Sequence, residues 1–596
     1  MRRPKNKKRY KAREIILKGI PAAPGVAIGK AHPLYDEEIA IPKKKISEKE
    51  VEREIARFKK ALAKTRAEII SIHKRISREM GIEKARIFGA HLMVLEDEVL
   101  ISDVIVKLKK NKYSLEFTFW EVLKKYTKVL SKSDDEYLRE RVSDINDVGR
   151  RILKNLLGAT HRNLADLKQK TIVVAYDLSP SDTAMLHRGN VMAFATDIGG
   201  RTSHTAIMAK SLEIPAVVGL ETVTAAVKDN TLLIVDGNRG NVIVNPTKKT
   251  IGKYQVDKKR FEIFEKNLFK FKNLPAKTLD GKEVELAANI ELPEDVPGVL
   301  AHGAKGIGLY RTEYFYMNKK ELPTEDEQYE AYKNVAEKIA PNPVVIRTLD
   351  LGGDKFLSEF EVPREMNPFL GWRAIRFCLA RPDIFKTQLR AILRASHHGN
   401  LKIMYPMISG LEELKQANKI LFEVKQELNK KSIPYNKNIE VGTMIEVPSA
   451  ALTSDVLAKE SDFFSIGTND LIQYALAVDR VNEKIAYLYE PAHPAVLRLI
   501  KAIVDNAHRE KIWVGMCGEM AGDINMTLIL LGLGLDEFSA SPIIVPEVKR
   551  VIRAAKYEDA KKISEKALTL PTGREVEILA RAQLKKLVPE IMGDLA

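Results

Sequence analysis

A histidine just inside a glycine-rich turn offers one kind of chemistry, and arginines and carboxylates further along the chain offer its complement. The histidine is His204, in Gly199-Gly200-Arg201-Thr202-Ser203-His204-Thr205. The glycines let the backbone turn sharply and Thr202 and Ser203 can cap a helix. The helix N-terminus then presents free N–H groups and the positive end of its dipole to an anion. An imidazole so placed can accept a phosphoryl group, although a single histidine of this kind is more often an ordinary surface residue beside a capped helix. The second set is Asn289, Arg311, Arg347, Glu446, Asn469 with Asp470, and Cys517. Arginine forks match phosphate and carboxylate oxygens, while Glu446 and Asp470 offer hard oxygen ligands to Mg2+, which binds through one or two carboxylates plus substrate phosphate. Such a site would hold a small phosphorylated carboxylic acid.

The elements that must position these residues are legible as periodicity. The apolar run Val191 to Thr196 reads as a strand leading into the His204 turn, and the spacing after the turn suits a helix. Beyond Lys277, short apolar runs alternate with helical stretches, the pattern of parallel β/α units. Eight candidate strands fall at 284–290, 306–311, 344–349, 401–405, 441–446, 463–467, 513–517 and 536–540. Their number and span fit a (β/α)8 barrel, in which chemistry sits at the C-terminal strand ends, and the second set occupies those ends. One arginine at a strand end would read as a salt-bridge partner; suitable residues at six ends make that reading weak.

Upstream, further strands are expected at 171–175, 191–194, 216–218, 232–235 and 242–244, with a turn-rich segment at Gly19 to Gly29. Between them Val51, Ile55, Phe58 and Leu62 keep helical spacing, so a helical block is inserted into a β-containing domain. Residues 247–273 are Lys-rich with Phe and Ile at helical spacing and read as a connecting helix.

A chain of 596 residues exceeds a single core and implies three or four domains. Its composition, 30% charged and 45% hydrophobic, fits a globular protein rather than a disordered or membrane one. No apolar run approaches the ~20 residues that span a bilayer, so membrane insertion is not expected. Two cysteines, Cys378 and Cys517, suit a reducing, cytoplasmic compartment. The net charge is +17, but residues 1–18 hold nine Lys or Arg against one Glu. Much of the excess is therefore a basic N-terminal extension. Without zinc-finger spacing or an aromatic-rich basic motif, a solvated tail is expected rather than a nucleic-acid module.

Five motifs carry a family resemblance. They are Gly199 to Thr205, Gly306-Ile307-Gly308-Leu309-Tyr310-Arg311-Thr312-Glu313, Asn367-Pro368-Phe369-Leu370-Gly371-Trp372-Arg373, Ser465-Ile466-Gly467-Thr468-Asn469-Asp470-Leu471 and Gly515-Met516-Cys517-Gly518-Glu519. From about Gly19 to the C-terminus the chain resembles the enzyme I family of the bacterial phosphotransferase system, the phosphoenolpyruvate–protein phosphotransferases. The resemblance implies an α/β multidomain fold: a swivelling β/α phosphohistidine domain (19–36 and 161–246), an inserted helical domain that docks the phosphocarrier protein HPr (37–160), a linker helix (247–275), and a (β/α)8 TIM-type barrel that binds phosphoenolpyruvate and forms a homodimer (276–596). It implies that His204 is transiently phosphorylated and that Cys517 protonates the departing pyruvate enolate. Arg311, Arg347, Asn469, Asp470 and Arg480 match substrate-binding positions, Arg373 falls in a motif assigned to phosphate, and Glu446 and Asp470 match the Mg2+ ligands.

Two rival readings stay open. A pyruvate phosphate dikinase or phosphoenolpyruvate synthase shares the histidine and the barrel, but needs a nucleotide domain for which this sequence leaves no room. A non-catalytic scaffold that binds phosphoenolpyruvate and HPr would keep the same polar residues without turnover.

Overall fold

The computed structural model describes residues 13–34, 41, 43–80, 88, 91–130, 136–157, 169–178, 190–200, 205–206, 209, 214–316, 322–352, 365, 367–480, 482 and 484–589. His204 lies outside the described residues. The chain divides into two compact units between Ile263 and Phe264.

The first unit is built on a sheet of eight strands: β1 (Ile15–Lys18), β2 (Ile20–Ala23), β3 (Val26–Leu34), β4 (Thr171–Ala175), β5 (Val191–Thr196), β6 (Ala216–Val218), β7 (Leu232–Asp236) and β8 (Asn241–Val244). Their order is β1-β8-β7-β3-β4-β5-β6-β2. The central strands are buried on both faces and so read as continuous apolar runs. In β4, Val173 and Ala175 face one core while Ile172 and Val174 face the other. Between β3 and β4 the chain leaves the sheet for a helical block that includes Glu48–Met80, Glu98–Asn111, Leu115–Leu130 and Glu136–Leu157. This block has its own core around Phe58, Val104, Leu108, Phe119 and Ile152.

The edge of this unit differs from the sequence expectation. Residues 1–18 were expected as an extension outside the fold, yet Ile15 to Lys18 pairs antiparallel with β8, Ile15 opposite Val244 and Lys18 opposite Asn241. The apolar run Ile15-Ile16-Leu17 supplies a strand, and its pairing covers the backbone edge of β8. The connecting helix runs Lys248–Phe269. Its first turns pack on the sheet: Tyr254 joins Val26, Ile234 and Ile243, and Asp257 meets Arg239 at 3.4 Å.

The second unit is a closed parallel barrel, with the ring order β10-β11-β12-β13-β14-β15-β16-β9. Its strands are β9 (Glu285–Ile290), β10 (Ile307–Tyr310), β11 (Val344–Arg347), β12 (Leu401–Tyr405), β13 (Val441–Ile445), β14 (Phe463–Ile466), β15 (Trp513–Met516) and β16 (Glu537–Ala540). All eight fall on the expected runs. Alternation divides their side chains between two cores. Leu309, Val345, Met404, Met444 and Phe463 fill the interior together with Cys517. Ile307, Ile346, Ile403 and Ile445 point outward to the helices. The unit reaches upstream of the expected start at 276: Lys549 Nζ donates to the carbonyls of Lys272 and Gly303 at 2.8 Å each, and Arg553 donates to that of Pro275 at 2.6 Å.

Candidate active site

The C-terminal strand ends of the barrel carry a buried lattice of alternating charges. Arg347, the last residue of β11, pairs with Glu313 at 2.7 Å and with Asp350 at 2.9 Å. Asp350 also accepts from Arg373 at 2.8 Å, and Arg373 approaches Asp470 at 3.4 Å. Arg347 and Arg373 keep only 12% of their side chains exposed and Asp350 only 4%. Burial alone would raise the Asp350 carboxyl, but the two guanidinium groups outweigh it and hold it below the usual carboxylate range. Among the described residues the buried Arg347 Nε has no hydrogen-bond partner.

Next to the arginines, negative charge is in excess. Glu446, directly after β13, is 2% exposed, and burial, then Asp470 and Asp350, push its carboxyl well above its ordinary value. Asp470, in the first turn of the helix Thr468–Leu476, is also raised, first by burial, with Arg373 opposing and Asp350 adding. One Glu446 oxygen accepts from Met407 N at 2.7 Å. The other lies where a Cβ on Gly467 would come within 2.6 Å of it, so only glycine leaves that cradle open. Two neighbouring carboxyls, both raised by burial and by Asp350, fit a divalent cation. Among the described residues no group of three or more His, Cys, Asp or Glu is placed to hold a metal, so the remaining ligands would come from substrate and water.

The other expected residues surround this centre. Arg311, after β10, lies at the rim and pairs with Glu291 at 2.6 Å. Arg480 meets Glu519 at 3.6 Å, and the Asn469 side-chain oxygen accepts from Glu519 N at 3.0 Å. Gly518 packs so closely on Thr468 that any side chain there would collide with its hydroxyl, which holds the Cys517 turn against the Asn469-Asp470 turn. Cys517 is 2% exposed, its Sγ 3.9 Å from the carbonyl of Ile466. Burial pushes its thiol up to about 11, with Ser465 and Arg347 opposing. Asn289 is a strut: its amide donates to the Cys517 carbonyl at 2.9 Å and its oxygen accepts from Ser539 at 2.6 Å.

Sequence reasoning gave no role to Asp350 or Tyr474. Asp350 was signalled only by its place three residues after Arg347. Tyr474, whose hydroxyl donates to the Phe369 carbonyl at 2.5 Å, lies one helical turn beyond Asp470 and tethers the loop leading to Arg373.

A parallel barrel whose strand ends present paired arginines beside two metal-competent carboxylates is the architecture of an enzyme that takes a small phosphorylated acid. Family models agree: residues 265–557 match the PEP-binding domain of PEP-utilising enzymes, 18–141 their N-terminal domain and 167–240 their mobile domain. The chain is 50% identical over 564 residues to the phosphoenolpyruvate-protein phosphotransferase of Bacillus sp. (strain S), covering 95% of this chain and 97% of that one. The same figures hold for the phosphoenolpyruvate-protein phosphotransferase of Geobacillus stearothermophilus. That of Bacillus subtilis (strain 168) is 48% identical over 96% of this chain and 100% of its own. The chain belongs to the phosphoenolpyruvate–protein phosphotransferase family, enzyme I.

Proposed function

We propose that the protein transfers the phosphoryl group of phosphoenolpyruvate first to its own His204 and then to a histidine of HPr, releasing pyruvate as the first step of sugar uptake by a phosphotransferase system. The observation that carries the reading is the buried Arg347–Asp350–Arg373 lattice beside the desolvated carboxyls of Glu446 and Asp470. Arg347 and Arg373 grip phosphate oxygens, and Arg311 and Arg480 at the rim neutralise the carboxylate. Asn469 and Asp470 orient the substrate. Mg2+, held by Glu446 and Asp470, neutralises phosphate charge when bound.

The P–O bond to the enolate oxygen breaks as a bond forms between phosphorus and a ring nitrogen of the neutral His204. Transfer of this kind depends on alignment and charge neutralisation more than on covalent help. The enolate of pyruvate must then gain a proton on carbon. A thiol raised by burial keeps its proton at neutral pH, and Cys517 gives it to that carbon, the thiolate recovering a proton from solvent. The inserted helical block docks HPr, the barrel forms the homodimer, and the chain works in the cytoplasm. No helix among the described residues is long and apolar enough to cross a membrane.

Incubation with labelled phosphoenolpyruvate, Mg2+ and HPr, without nucleotide, is the test. Label is expected on HPr, with an acid-labile, base-stable intermediate on the protein that His204→Ala abolishes. Label that stops on the protein, or never arrives, favours the dikinase or scaffold reading.

A further inference from the structure

Behind the arginines lies a polar layer sealed from solvent. Thr312 and Tyr332 are fully buried, and Gln328 and Gln388 are each 1% exposed. Gln388 projects from the helix Pro382–Ala395, on the side that also buries Phe385, Leu389 and Ile392. An amide there is costly unless its hydrogen bonds are made.

They are made, in one direction only. The backbone N–H of Leu349 donates to Gln388 Oε1 at 2.9 Å. A main-chain N–H cannot accept, so this bond fixes the orientation of the amide. Nε2 must therefore face Thr312 Oγ1 at 3.0 Å and Tyr332 OH at 3.3 Å. Thr312, having accepted, passes its own proton to the carbonyl of Arg347 at 3.0 Å. Tyr332 passes its proton to Gln328 Oε1 at 3.2 Å. Gln388 thus grips the chain on both sides of Thr348, at the carbonyl of Arg347 and the amide of Leu349. The next residue is Asp350, whose carboxylate bridges Arg347 and Arg373.

We infer that Gln388, acting through Thr312, is a positioning residue for the substrate arginines. It touches no substrate. It fixes where β11 ends and hence where the Arg347 and Arg373 forks point. The inference rests on the reading that these arginines bind phosphoenolpyruvate. Misplacing a binding group by about 1 Å can cost up to ~10²-fold, so loss of one anchor among several is expected to cost on the order of tenfold.

The test is calorimetric titration of the full chain with phosphoenolpyruvate and Mg2+. Gln388→Met, which keeps size and loses all three hydrogen bonds of the amide, and Thr312→Val, which loses the hydroxyl, should each weaken binding roughly tenfold. The double variant should lose less than the product of the two single losses, because both remove the bond between Gln388 and Thr312. Thr312→Ser keeps the hydroxyl while losing a buried methyl and should bind within about twofold of wild type. A packing effect alone would make Thr312→Ser the worse of the two. Should Gln388→Met fail to fold, the Thr312 pair still decides. Wild-type affinity in both Gln388→Met and Thr312→Val, or equal losses in Thr312→Val and Thr312→Ser, overturns the inference. A wild-type chain that gives no binding heat overturns the substrate reading itself, and this inference with it.

Discussion

Cys517 combines two properties that usually exclude each other, burial and a catalytic assignment. A thiol at 2% exposure is most simply a small hydrophobe filling the barrel interior. The same burial is what keeps it protonated, since a thiol pushed up to about 11 stays neutral across the physiological range. Cys517→Ala is therefore expected to bind phosphoenolpyruvate as wild type does and to turn over roughly 10²–10⁴-fold more slowly. Exchange of pyruvate methyl protons with solvent should slow by a similar factor, because in the proposed mechanism the reverse step needs the same group. Equal exchange rates in the folded variant and wild type would remove Cys517 from the mechanism, and a lower melting temperature alone would leave it a packing residue. Between pH 6 and 9 the wild-type rate should show no fall attributable to loss of the thiol proton. At this scale the sequence revealed residues that end strands, because strand ends can be located from periodicity. It did not reveal Asp350 or Gln388, whose roles come from partners that only the closed barrel brings beside them.

At the scale of elements, the opposite end of the barrel shows what the fold tolerates. The first residues of several strands form its floor. Phe463 and Trp513 stack at 4.5 Å and 6°, and Lys402 Nζ lies 4.5 Å over the indole and 2.8 Å from Glu440. Beside them Glu537 is buried, and burial pushes its carboxyl up to about 7, with Lys402 opposing and Glu285 adding. A carboxyl raised above its unfolded value of 4.5 contributes stability that is complete below that value and lost as pH rises through about 7. At about 1.4 kcal/mol per unit, the cost at pH 9 is at most roughly 3 kcal/mol. Glu537→Gln should thus melt a few degrees above wild type at pH 9 and match it at pH 4. A variant less stable at both pH values would mean that the carboxylate is paired in the floor and the sign is wrong. The barrel strands were legible because each is a short apolar run bounded by turn residues, whereas β1 was hidden inside a basic segment. Composition averaged over residues 1–18 reports charge, but Ile15 to Leu17 find their partner in β8, far along the chain, which no local window contains.

For the whole molecule, the division between Ile263 and Phe264 matters more than the total charge of +17. Each unit has its own hydrophobic core, and every substrate and metal residue proposed here lies in the second, whereas His204 belongs by sequence to the first. Separate cores make all-or-none unfolding of the full chain unexpected, and a scanning calorimeter should resolve at least two transitions. A ligand that binds only one folded unit stabilises that unit by RT ln(1 + [L]/Kd), about 2.7 kcal/mol at a hundredfold excess over Kd. Phosphoenolpyruvate with Mg2+ should therefore raise the melting temperature of one transition by a few degrees and leave the other in place. The transition that moves should be the one that survives in a fragment beginning at Phe271. A fragment cut at 276 should melt lower, because it leaves the buried Lys549 ammonium without the Lys272 carbonyl and Arg553 without that of Pro275. His204→Ala should show the same ligand-induced shift as wild type, since in the proposed mechanism the histidine receives the phosphoryl group and does not hold the substrate. If both transitions move together, or if His204→Ala loses the shift, substrate binding is shared between the units and the barrel is not a self-sufficient binding site.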